Sequence, residues 1–171
     1  MSIIIRVAGS EDAELIADLS RQTFYDSFAA QNTKEDMDRF MNEQFTKEAL
    51  IKEVVTEGNI FLLAHADNEV TGYARMRDGE KRPEFGNKSS VELARIYAVK
   101  RSIGQGTGSA LVQRCIDMAK EMKREIIWLG VWEYNQRAIA FYTKWGFEKF
   151  AEHDFVLGKD VQRDWLMKKQ L

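Results

Sequence analysis

Cysteine, proline and histidine are nearly missing: the 171 residues hold one Cys, one Pro and two His. A single thiol, Cys115, can form neither an intramolecular disulfide nor a thiolate metal cluster, so the fold must rest on its apolar core. Cys115 shares a helical face with Leu111, Met118 and Met122, which predicts a core thiol rather than a reactive one. His65 and His153 stand alone in strand-like runs; both are read as structural or surface residues, and no metal is expected. An excess of one charge is also missing. Lys plus Arg number 25 against 27 Asp plus Glu, a net of −2, which argues against the basic face of a nucleic-acid binder and for a small partner. No run approaches the roughly twenty apolar residues of a membrane span. The opening Met-Ser-Ile-Ile-Ile-Arg is too short for a signal segment. The expectation is a cytoplasmic protein without a membrane partner. With 44% hydrophobic and 30% charged residues the chain is ordinary for a globular protein, and residues 1–171 are expected to form one domain.

What the chain does have is a glycine turn. Across Arg101-Ser102-Ile103-Gly104-Gln105-Gly106-Thr107-Gly108-Ser109-Ala110-Leu111-Val112 an apolar strand-like run ends, three glycines follow at two-residue spacing, and a helical pattern begins. The first turn of a helix carries N–H groups without intrahelical partners and a partial positive charge, so phosphate oxygens bind well there. Gly104, Gly106 and Gly108, lacking Cβ atoms, can take positive φ and let a pyrophosphate reach the main chain. Two better-known loops do not fit. A Walker loop needs Lys and then Ser or Thr after its last glycine, where this chain has Ser109-Ala110; a Rossmann fingerprint needs glycine where Ser109 stands. In isolation the glycines could equally be a plain strand-to-helix turn.

Read in order, Ile3 to Ile5 predict a strand, and Ser10 a helix cap before a helix that carries Leu15, Ile16, Leu19, Phe24 and Phe28 at helical spacing. At its end, Tyr25 and Asp26 could line a pocket or face water. Thr33 and Thr46 read as caps of two further helices, and Asp67-Asn68 as the turn of a hairpin between 60–66 and 70–77. The polar stretch 78–90, with the only proline, reads as a mobile loop. Val91 to Val99 is a strand into the glycine turn, and Ile126 to Val131 is apolar enough to be covered on both faces. Asn135 caps a helix ending at Gly146, and Phe147–Leu157 and Asp164–Met167 close with two strands. The order β-α-α-α-β-β-β-α-β-α-β-β implies an α/β fold with a mixed sheet and helices on both faces.

The succession of strand, glycine turn, helix, buried strand and then Asn135-Gln136-Arg137-Ala138-Ile139-Ala140-Phe141-Tyr142-Thr143-Lys144-Trp145-Gly146-Phe147 resembles the GCN5-related N-acetyltransferases (GNAT). Their signature pairs a Q/R-x-x-G-x-G/A loop with a later N-x-x-A-x-x-x-Y-x-x-x-G-F helix, and the second half is complete here. The first half fits Arg101-x-x-Gly104-x-Gly106, or, preferably, Ile103-x-x-Gly106-x-Gly108, which leaves Ile103 where the family has Gln or Arg. The N-terminal helices and Trp128-Leu129-Gly130-Val131-Trp132-Glu133 look like the PaiA-type spermidine/spermine acetyltransferases.

The resemblance implies a mostly antiparallel sheet and a direct acetyl transfer from acetyl-CoA, without metal, to a small primary amine such as a polyamine. Main-chain groups of Tyr97, Ala98 and Val99 would pair with the pantetheine arm, and Gly104, Gln105, Gly106, Thr107, Gly108 and Ser109 would hold the pyrophosphate. Asn135 would bond the pantetheine and Lys144 would lie near the 3′-phosphate, although Asn135 also suits a helix cap and Lys144 a solvated cation. Tyr142 matches the general acid, against a packed core aromatic. Glu92 matches the carboxylate that takes the amine's proton, against an ordinary edge glutamate. Tyr25, Asp26 and Glu133 are the candidates for holding the acceptor. Acetylation of a protein lysine or N-terminus, and a non-catalytic CoA-binding sensor, stay open as alternatives, as does a homodimer.

Overall fold

A computed structural model, which describes residues 2–171, has the predicted element order: β1 (Ile3–Val7), α1 (Ala13–Phe28), α2 (Lys34–Glu43), α3 (Lys47–Val55), β2 (Asn59–Ala66), β3 (Glu69–Asp78), β4 (Ser90–Ala98), α4 (Thr107–Glu121), β5 (Ile126–Trp132), α5 (Gln136–Lys144), β6 (Glu148–Leu157) and β7 (Asp160–Gln170). The strands form one sheet in the order β1-β2-β3-β4-β5-β7-β6. All neighbours are antiparallel except β4 and β5.

That exception positions the site. β4 and β5 pair only at Ser90–Ile126, Val91–Ile127 and Glu92–Trp128, after which β4 runs on to Ala98 and β5 to Trp132 without pairing. The two strands therefore form a fork with its apex at Glu92. On the other side of β4, Arg95 pairs with Arg75 and Leu93 with Met76, so Ala94 is an extra residue in the ladder. Such a bulge bends its strand and increases the local twist, which turns β4 away from β5.

The sheet is covered on both sides. Leu111, Val112, Cys115, Ile116 and Ala119 of α4 and Tyr142 of α5 pack on Leu62, Ala74, Leu93, Ile127, Leu129 and Val131. On the other face Ile16 of α1 meets Phe61, Leu63 and Tyr73, while Phe24, Phe40 and Phe45 cluster with Leu50 and Leu157. Cys115 is fully buried, and burial pushes its thiol up to about 12, so it is a core residue as predicted. Gly72 of β3 lets α4 sit low on the sheet: a Cβ there would come within 2.8 Å of Thr107 Cγ2.

The predicted caps hold at three of four helices. Thr33, Thr46 and Asn135 accept from the N–H groups of Asp36, Ala49 and Ala138 at 3.1, 3.2 and 3.1 Å. Ser10 does not cap; it begins a short 3-10 turn, Ser10–Asp12, that precedes α1. Asp12 organises this corner instead. It accepts from Arg6 at 2.8 and 2.9 Å and from the Gly9 N–H at 2.9 Å, and the Arg6 hydrogen bond holds its carboxyl down at about 2. The hairpin turn is as predicted, with Asp67 and Asn68 both left-handed at φ 51° and 65°. The 78–90 stretch folds into a 3-10 turn, Pro83–Phe85, that buries Phe85 against Phe150. The last strand is longer than predicted at both ends: Asp160 to Arg163, polar apart from Val161, pair with β6, and Lys168 to Gln170 pair with β5.

Candidate active site

The glycine turn stands beside the open side of the fork. A short 3-10 turn, Lys100–Ser102, leads into it. Gly104 and Gly106 take φ of +82° and +94°, values that L side chains rarely adopt, and Gly106 is the N-cap of α4. Gly108 is different: it lies inside the helix, and its lack of a Cβ opens space toward Phe141, whose Cζ would be 3.6 Å from a Cβ there. The first N–H to donate back into the helix is that of Ala110, to the Gly106 carbonyl at 3.0 Å. Those of Thr107, Gly108 and Ser109 remain for an anion. No acidic residue occupies this first turn to compete for them. Gln105 bonds the Arg101 carbonyl at 3.1 Å, and Ile103 is 46% exposed where a side-chain donor was expected from the family pattern. The cradle is therefore built from main chain, and it fits a pyrophosphate.

The fork supplies the edge for an extended ligand. The Val99 N–H already donates to the Thr71 carbonyl at 2.9 Å, on the β3 side. Backbone groups alternate sides along a strand, so Tyr97 shares that direction, whereas Ala98 and Ile96 turn theirs into the fork. Of the three main-chain residues named from sequence, Ala98 turns its backbone groups toward the opening, and so does Ile96, because a strand's phase is set by its partner. Asn135 uses Oδ1 in its cap, leaving the amide nitrogen as a donor. Lys144 is exposed in the last turn of α5.

Tyr142 is buried between Phe141 and Phe147 and close to Cys115; burial, then the thiol, raises its phenol well above the ordinary value, so it stays protonated at neutral pH. Glu92, at the apex, has a side chain only 12% exposed. Its Oε1 lies 2.5 Å from Arg77 Nη2 but has no aligned hydrogen bond. Burial raises its pKa and the Arg77 charge opposes that rise. Around it, Glu53 of α3 receives Arg95 at 2.6 Å and Arg75 at 3.2 Å, a pairing of elements far apart in sequence that local patterns do not reveal.

The acceptor residues named from sequence lie at the ends of two elements, α1 and β5. Asp26 is exposed and accepts from Gln22 at 3.0 Å, and Tyr25 is 44% exposed on the same helix end. Glu133 is half-buried just beyond β5. The charged groups acting on Glu92 are Arg77, Glu80 and Arg75, with neither Asp26 nor Glu133 among them. The end of α1 does reach the fork through an aromatic contact, Phe28 with Trp132 at 6.3 Å between ring centroids.

Comparisons with known proteins agree with this geometry. The profile of the acetyltransferase (GNAT) family matches residues 21–147. An uncharacterized N-acetyltransferase of Lactobacillus delbrueckii subsp. lactis is 36% identical over 168 residues, 98% of this chain and 96% of that protein. The spermidine N(1)-acetyltransferase of Thermoplasma acidophilum is 29% identical over 171 aligned positions, covering 95% of this chain and 99% of its own. The crystal structure of the PaiA N-acetyltransferase from Thermoplasma acidophilum with coenzyme A superposes with a TM-score of 0.77 at 24% identity, over 100% of both chains. A fork between parallel strands, a glycine-opened helix beside it and these matches lead to one assignment: the chain belongs to the GNAT family of acetyl-CoA-dependent N-acetyltransferases.

Proposed function

We propose that the protein acetylates a small cationic amine, with a polyamine such as spermidine as the acceptor. The observation that carries this reading is the full-length similarity to a relative named as a spermidine acetyltransferase. The fork adds physical support. An amine entering from the α1 side meets the apex carboxylate of Glu92, and Glu133 lies just past the end of β5. On the opposite side, Ala98 and Ile96 offer main-chain groups to the pantetheine, with the Asn135 amide nearby in the family pattern. The Gly104–Ser109 turn receives the pyrophosphate, and Lys144 suits the 3′-phosphate. Tyr142, protonated and buried, is suited to hand a proton to the departing thiolate. A proton acceptor for the ammonium is also required. Glu92 is the carboxylate indicated by sequence, and it begins with Arg77 already at 2.5 Å.

The polyamine reading makes a measurable difference. The second ammonium of a diamine gains from a partly desolvated carboxylate, which is worth about 2–5 kcal/mol, but little from an exposed one, about 0–1 kcal/mol. We therefore expect kcat/KM for spermidine to exceed that for a monoamine of equal length, with the gap narrowing as salt is added. Glu133→Gln should narrow it further. Asp26→Asn, at an exposed position, should change it by no more than about fivefold. Equal efficiency on the two amines at low salt would remove the polyamine and leave acetyl transfer to another amine.

A further inference from the structure

β5 carries an anomaly. Its residues Ile126, Ile127, Trp128, Leu129 and Val131 are buried, yet Gly130 in their midst is exposed. A glycine opened to solvent inside a central strand marks a place where a ligand can approach the backbone. Gly130 lies two residues past the apex, within the fork. A β-carbon placed on it would lie 3.6 Å from Asp164 Oδ2, 3.9 Å from His153 Nε2 and 3.5 Å from Leu166 Cδ2, which are ordinary contacts, so the notch is not there to relieve a clash within the protein.

Resting on the acetyl-transfer reading above, we infer that the notch over Gly130 receives the acceptor nitrogen, and that Asp164 takes its proton and passes it through His153 to solvent. Asp164 on β7 and His153 on β6 are directly opposed in the antiparallel ladder, with Oδ2 and Nε2 3.4 Å apart. A cross-strand pair of this kind is ordinary when both members face water. Here the Asp164 side chain is only 18% exposed and the His153 side chain 47%, so the carboxylate lies inward and the imidazole reaches out. Asp164 also acts across the fork. Its charge, behind burial and the hydroxyls of Tyr73 and Tyr142, contributes to raising the Tyr97 phenol on β4. In the ladders Asp164 stands opposite His153 of β6 and Trp132 of β5, with Gly130 diagonal to it on the same face of β5, so His153 is its one titratable cross-strand partner. Burial raises the Asp164 carboxyl and His153 opposes the rise, which makes it a stronger base than a solvated aspartate. Glu92 is instead matched by the Arg77 guanidinium.

The proton count closes. One ammonium proton goes to Asp164, and the freed nitrogen lone pair forms the C–N bond at the thioester carbonyl carbon. As the C–S bond breaks, the second proton lost by the nitrogen reaches the thiolate by way of Tyr142. Asp164 returns to its charged form when His153 accepts a proton on Nε2 and releases one from Nδ1 to water.

The test compares Asp164→Asn, His153→Gln, Gly130→Ala and Glu92→Gln by kcat/KM for an amine that the wild-type enzyme acetylates, from pH 6 to 10, with acetyl-CoA affinity measured separately. Loss of a general base lowers the rate by roughly 10²–10⁴-fold. Asp164→Asn should show that loss near neutral pH and recover toward wild type at high pH, where solution supplies neutral amine. His153→Gln should lose less. Gly130→Ala, whose methyl group clashes with nothing in the protein, should raise the KM for the amine and leave acetyl-CoA affinity unchanged; it also keeps the inference testable if Asp164→Asn does not fold. A folded Asp164→Asn enzyme with the wild-type rate and profile, an unaltered amine KM in Gly130→Ala, or the pH-dependent loss appearing in Glu92→Gln instead would overturn the inference while acetyl transfer stands. A wild-type protein that releases no CoA with any amine would overturn both.

Discussion

Tyr142→Phe should lower kcat by roughly 10²–10⁴-fold, the usual contribution of a positioned general acid, while leaving the fold and acetyl-CoA binding intact. The substitution removes one oxygen from a ring packed between Phe141 and Phe147, so the aromatic contacts at 5.4 and 5.8 Å between centroids persist. The buried phenol is held well above its ordinary pKa, so it can donate across the whole neutral range. The deficit in the variant should therefore be nearly constant from pH 6 to 9, in contrast to the pH-dependent loss expected when a base is removed. Steady-state kinetics on a well-used amine, together with a thermal melt, checks both parts. A variant with wild-type kcat and an unchanged melt would make Tyr142 a packing residue.

Gly106→Val should weaken acetyl-CoA binding by about 100-fold or more without unfolding the protein. Gly106 has φ +94°, where an L residue pays roughly 1–2 kcal/mol and a β-branched one more. Relief of that strain would turn the N–H groups of the cradle away from the pyrophosphate, and each 1.4 kcal/mol lost is tenfold in affinity. The protein itself has room for the side chain, since the nearest atom to a Cβ there is Ile3 Cδ1 at 3.6 Å. Gly86→Val is the matching control for strain: φ is +59°, nothing lies within 4 Å, and the position is in the 78–90 loop rather than the cradle. Calorimetric titration with acetyl-CoA should separate the two, with Gly86→Val binding as wild type does. Equal affinities for Gly106→Val and wild type would move the cofactor site away from this turn.

Much of this arrangement can be read from the chain because its signals are local. The Asp67-Asn68 turn, the caps at Thr33, Thr46 and Asn135, and the spacing of Leu111, Cys115, Met118 and Met122 each involve residues within one turn or one helix. The glycine turn is local as well, and two of its three glycines have the positive φ expected of them. What local pattern hides is everything that depends on a partner strand. The extra residue Ala94 appears only when β4 is set against β3, and it decides where the fork opens and which backbone groups face it. Arg77 against Glu92 and Arg95 against Glu53 join positions 15 and 42 apart in the chain. His153 reads as an isolated histidine because Asp164, its neighbour in the structure, is 11 residues away across a hairpin. Ser10 misleads for a related reason: Arg6 of β1 draws Asp12 into the corner, and the cap moves with it.

The central claim is that one fork holds acetyl-CoA along β4 and delivers its acetyl group to an amine. The most direct measurement incubates the wild-type protein with acetyl-CoA and a panel of mono-, di- and polyamines, following free thiol continuously and identifying products by mass spectrometry. Our account predicts amine-dependent thiol release matched one for one by an N-acetylated amine, greatest for the polyamines. Tight acetyl-CoA binding with no thiol release and no acetylated product from any amine would contradict it, and would leave the fork as a binding site without turnover.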